Sequence, residues 1–195
     1  MALFSAFFRK KTIFTAQLAL ILSLGAFSTA YAYEDNPDGW TNDHAYAISD
    51  NLGWLSRHRI NGECSIALIS YSRTKAGMVF VSMPLEILAT KNGSFIRSAN
   101  TVKGLSPDDE VKVRFRVGQS KYLIPLAAES DPTLLSAELE EKQLQLILDL
   151  FEKSHSIGIE FPSDKKTAYY PLYRMRPLLL SFKSCIFING FADLE

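Results

Sequence analysis

The chain has 195 residues, with 21 basic and 21 acidic side chains and a formal net charge of zero. That balance argues against nucleic acid as a partner, which calls for a basic domain. Two cysteines and three histidines are too few for a cysteine-based metal framework.

The N-terminus reads as a targeting segment. Arg9, Lys10 and Lys11 form a positive region, and residues 12–33 carry no charge. Residues 18–27 (LALILSLGAF) are the most apolar, and Ala30-Tyr31-Ala32 puts small residues where signal peptidase needs them. The pattern predicts a secretory signal over residues 1–32, cleaved before Tyr33. If left uncut, the stretch is long enough to span a bilayer and would anchor the chain in the inner membrane. Cleavage leaves no integral membrane segment and an excess of three acids. The expected location is the periplasm, with secretion as the alternative.

Cys64 and Cys185 both fall in the exported part. In an oxidising compartment they read as one disulfide; the alternative is two buried thiols acting as small hydrophobes. A bond would close a loop of over a hundred residues, worth on the order of 4–5 kcal/mol by chain entropy.

Residues 33–53 are polar and turn-rich and predict an N-terminal arm, with a helical turn near 43–48 and its ends pinned by Trp40 and Trp54. A single mainly-β domain, residues 54–195, follows. Asn61-Gly62 between the runs 54–60 and 63–71 signals a hairpin. Residues 77–84 (GMVFVSMP) read as a third strand. Residues 85–90 lead to a tight turn at Lys91-Asn92-Gly93, from which 95–99 return. After a turn at 106–109, residues 111–117 alternate cleanly, Gly118-Gln119 turns, and 121–126 pair back.

Residues 136–153 (SAELEEKQLQLILDLFEK) predict the central helix, with Ser136 as cap. Leu144, Ile147, Leu148 and Phe151 follow the helical spacing, while Leu144, Leu146, Leu148 and Leu150 alternate as a strand would. The scarcity of β-branched residues favours the helix. Residues 156–161 and 167–175 read as strands, and Pro177 as the opener of a short C-terminal helix over 178–186. The expected fold is an antiparallel β-sandwich or rolled sheet of seven to nine strands with these two helices.

Few residues point to chemistry. In the run 111–117, Lys112, Arg114 and Arg116 share one strand face. They could meet an acidic partner, or form a solvated face paired with acids on a neighbouring strand; the second reading is favoured. Tyr169 and Tyr173 would share a face of an edge strand marked by Pro171, as a binding edge or, preferably, as packing under the arm. His44, His58 and His155 are too dispersed to suggest a metal site, and no G-x-S-x-G, H-E-x-x-H, P-loop or dinucleotide motif occurs. No catalytic residue, metal ligand or cofactor is assigned, and the reading leans away from an enzyme.

The order of parts resembles the invasion-associated locus B family of periplasmic proteins. The matching pieces are Trp54, Cys64, Met83-Pro84-Leu85, Asn92-Gly93 and the segments 139–151, 156–161 and 178–182. The family's central cysteine pair has no counterpart here. The resemblance implies a mainly-β periplasmic protein without known catalysis.

The functional expectation is therefore an exported binding or interaction protein, in its sharpest form an immunity or inhibitor protein, with another envelope protein as partner. The alternative is an envelope hydrolase whose site is assembled from dispersed residues. Mass spectrometry of exported material should find an N-terminus at Tyr33; intact residues 1–32 in membrane-bound protein would establish the anchor instead.

Overall fold

Asn61-Gly62 makes the hairpin turn the sequence predicts. Gly62 has φ +96°, a region that side chains with a Cβ avoid. A Cβ at Gly62 would also meet Asn189 at 2.7 Å, so the turn fits closely against the end of the C-terminal helix. The computed structural model describes residues 39–75, 77–161 and 166–191. The expected signal over residues 1–32 lies outside them, as does the turn at 162–164. The described residues all belong to one compact unit, Tyr33–Glu195.

Ten strands and two helices follow in order: β1 (Trp40–Ser49), β2 (Leu52–Arg59), β3 (Cys64–Thr74), β4 (Gly77–Thr90), β5 (Gly93–Ala99), β6 (Glu110–Val117), β7 (Ser120–Ala128), β8 (Leu134–Leu139), α1 (Glu141–Lys153), β9 (Ser156–Glu160), β10 (Thr167–Pro171) and α2 (Met175–Asn189). The strands form one antiparallel sheet in the order β1-β2-β3-β4-β5-β8-β7-β6-β9-β10. The fold is mainly β, as expected, with ten strands among the described residues where seven to nine were predicted.

Three local readings need correction. The expected arm with a helical turn is strand β1, which sets Tyr46 opposite Trp54 and packs Tyr46 and Ile48 against the core. Its polar composition suits a sheet edge with one face in water. The expected helix loses its first turn to β8. Ser136 does not cap; it pairs with Arg97 of β5, and Leu135 and Leu139 are buried on alternate positions. The helix starts one residue after Glu140, whose side chain and that of Gln143 cap each other's backbone. Finally, the strand predicted over 167–175 ends at Pro171. Arg174 turns left-handed at φ 60°, and α2 begins at Met175. Pro177 is thus the third helical residue, still within the first turn, where an N–H has no partner within the helix.

The core joins both helices to the sheet. α1 buries Leu144, Leu148 and Phe151; α2 buries Met175, Leu178, Leu179, Phe182 and Ile186. Trp54 of β2 is fully buried, meets the Phe151 ring edge-on at 5.8 Å, and its Nε1–H donates to the Pro171 carbonyl at 2.8 Å. Tyr46 of β1 meets Tyr173 at 4.8 Å. β2 thus reaches the last residue of β10, and β1 the turn that follows it, so the strands near the two ends of the order come together. The other sheet face carries an ion network. Glu86, only 1% exposed, accepts from Arg57 at 2.8 Å and lies 3.6 Å from Arg97, which also holds Glu129 at 2.8 Å. The Ser65 hydroxyl donates to Glu86 as well. Removing one partner from so buried a pair typically costs about 3–5 kcal/mol.

Cys64 and Cys185 form a disulfide, with Cα atoms 5.9 Å apart and a separation of 121 positions in sequence. The bond ties the first residue of β3 to α2. Thiol labelling of unfolded, unreduced protein should find no free cysteine. Cys64→Ser and Cys185→Ser should each lower stability, by similar amounts of about 4–5 kcal/mol; two reactive thiols would contradict the bond.

Candidate functional site

The sheet is incomplete at one seam. β7 pairs with β6 from Ser120 to Ala127, but with β8 only through Ala127 and Ala128. Continuing that register would set Pro125 opposite Glu138. Ala128 uses its N–H and C=O on Asp109 and Asp108, on the β6 side. By the alternation of an antiparallel strand, Ala127, Pro125 and Leu123 aim their backbone groups towards β8. Pro125 has no N–H, so the ladder to β8 lacks its next donor. Among the described residues, no strand pairs with 121–125 on that side, which leaves a free margin.

Beside that margin runs a groove of about 570 Å³. Tyr122 and Ile124 of β7, Phe115 and Val117 of β6 and Ile96 of β5 line it on the sheet side. Gln143, Leu146, Ile147 and Leu150 of α1 line it on the helix side. Lys121 and Glu138 supply opposite charges, and Leu123 and Leu146 are about half exposed. The strand-like alternation of leucines in α1 now has a reason. The helix has two adjoining apolar faces, one sealed in the core through Leu144, Leu148 and Phe151, the other lining the groove.

None of the five residues singled out from sequence lines this groove. Arg114 and Arg116 reach Glu160 on β9 at 2.5 and 3.1 Å, and Lys112 is exposed. Hydrogen bonds from Arg114 and then Arg116 hold the Glu160 carboxyl below its ordinary pKa. Tyr169 lies across Gly158, where a Cβ would come within 2.8 Å of the ring. Tyr173 sits beyond the end of β10 against Tyr46. The two tyrosines therefore do not share a strand face.

The histidines form no site with the groove. His58 Nδ1 is 2.8 Å from Asp43, whose other carboxylate oxygen accepts from the Ser181 hydroxyl at 3.2 Å. The carboxylate stands between the other two groups. Nucleophilic catalysis of the serine type needs the imidazole next to the hydroxyl, to take its proton. Among the described residues, no three His, Cys, Asp or Glu side chains are grouped to hold a metal.

The groove escaped sequence reading because its parts are dispersed over five strands and a helix. One signal was visible: a proline inside an alternating strand, which marks an edge. No family model, curated protein or solved structure matches the chain.

The Glu160 pair predicts a pH effect. A carboxyl with a lowered folded pKa adds stability that is present above its unfolded pKa and is lost as pH falls through the folded value. Glu160→Gln should flatten the acid side of the stability–pH curve. An unchanged acid limb would show that the pairing contributes nothing.

Proposed function

We propose that the chain is an exported, non-catalytic binding protein of the cell envelope, working in the periplasm, that takes an extended apolar segment of a partner protein into the groove between β7 and α1. The observation that carries this reading is the free margin of β7 running beside an apolar channel. An added strand would satisfy the backbone groups of Leu123 and set alternate side chains against Tyr122, Ile124, Leu146 and Ile147. Main-chain pairing supplies affinity in this mode and the pockets supply specificity. The missing N–H at Pro125 limits how far such a strand can zip.

Other features support parts of the proposal. The Cys64–Cys185 disulfide suits an oxidising compartment. The approach of the strands near the two ends of the sheet favours a rolled sheet over a sandwich. An immunity or inhibitor role is the sharpest form, since occupying a partner's extended segment would block it. The hydrolase alternative has the Asp43 cluster for support, and its order of groups is wrong for the chemistry.

Selection of binding peptides from a random library on the exported protein should enrich sequences with alternating apolar residues. Leu146→Glu, at a half-exposed position, should weaken the selected peptides at least tenfold, or about 1.4 kcal/mol, with the unfolding midpoint unchanged. Leu123→Pro should weaken them also, because it deletes a donor on the free margin and leaves the β6 ladder intact. Full binding in both variants would remove the groove from the mechanism.

A further inference from the structure

Helix α2 is apolar on two faces. Its inner face is the one buried in the core. Its outer face carries Pro177, Leu180, Ser184, Phe187 and Ile188, together with Arg176. Leu180 is 57% exposed, Phe187 80% and Ile188 79%. Ile60, 99% exposed, sits in the β2–β3 turn, which abuts the end of α2 where Gly62 meets Asn189 and Phe191. A helix apolar all round is normally covered all round, and contiguous exposed apolar surface marks an interaction site.

Charge identifies the cover. Among the described residues from Lys166 to Phe191 there is no aspartate or glutamate, while Lys166, Arg174, Arg176 and Lys183 fall in that stretch; Arg174 lies over the Tyr46 ring at 5.7 Å and Lys183 stands near Asp149. The chain is neutral as a whole, so this local excess is a property of the C-terminal segment. Arg176 is exposed on the same face as Leu180.

We propose that the outer face of α2 lies on an anionic bilayer surface. Phe187, Ile188, Leu180 and Ile60 would enter the boundary between headgroups and acyl chains, and Arg176, exposed on the same face, would meet lipid phosphates. Apolar side chains flanked by Lys and Arg are the composition of helices that lie in a membrane interface. The helix, Met175–Asn189, is too short to span: at 1.5 Å per residue it covers about 22 Å, against about 30 Å of hydrocarbon. No helix among the described residues is long and apolar enough to cross a membrane. The contact is therefore a surface one, reversible and sensitive to salt, and it is separate from peptide binding in the groove.

The test is co-flotation of the exported protein with phosphatidylcholine vesicles, either pure or containing about one-third phosphatidylglycerol to supply the anionic surface. Binding should appear with the anionic vesicles and weaken in high salt. The double variant Phe187→Ser, Ile188→Ser should lose at least tenfold in partitioning while keeping the parent's unfolding midpoint, since both side chains project from the fold. Equal flotation of parent and variant, or no flotation of the parent with anionic vesicles, would overturn the proposal. So would a parent that is dimeric in solution and becomes monomeric in the double variant, because the face would then be covered by a second copy.

Discussion

A single absent hydrogen-bond donor decides what this sheet can do. The next rung of the β7–β8 ladder beyond Ala127 would set Pro125 opposite Glu138, and proline has no N–H to give it. Proline stops that ladder. The two strands part, β7 keeps its pairing with β6, and the space they leave is walled by apolar side chains. The groove is thus a consequence of local covalent chemistry within a sheet that is otherwise continuous from β1 to β10.

An opening of this kind is useful only if the structure around it is held. Three independent fastenings do so. The disulfide ties α2 to the start of β3. The buried Trp54 reaches from β2 to the carbonyl at the end of β10, joining strands near the two ends of the order. On the other face, Glu86 of β4 holds Arg97 of the adjacent β5 and, across β3, Arg57 of β2, and Arg97 brings in Glu129. These act on different parts of the chain, so the seam between β7 and β8 is a local defect in a braced frame.

Much of this frame was legible in the sequence. Asn61-Gly62 announced its hairpin because few residue pairs tolerate that turn, and the 111–117 alternation announced β6 because one face is buried. Both cysteines were legible as a pair, since two are the minimum for a bond. The errors came where tertiary pairing overrode local preference. Residues 40–49 are polar, yet β2 recruits them as an edge. Residues 134–139 look helical beside the leucine-rich run, yet β5 offers a partner and Glu140-Gln143 offer a better cap. For the site, Lys112, Arg114 and Arg116 were visible because they alternate along one strand, and the outcome for two of them is an ion pair with Glu160. The groove was not visible, because it needs the strand order β5-β8-β7-β6, in which chain neighbours β7 and β8 part after two pairs. Nothing in the periodicity of one segment encodes that parting; only Pro125 hints at it.

The central claim is that β7 presents an open margin, ready for an added strand. Amide hydrogen exchange read residue by residue tests it most directly. In the free protein the Leu123 amide should exchange quickly, while its neighbours Tyr122 and Ile124, bonded to β6, stay protected. On saturation with a selected peptide, Leu123 should become protected. A Leu123 amide as slow as its neighbours in the free protein, or one that stays fast when peptide is bound, would contradict the account.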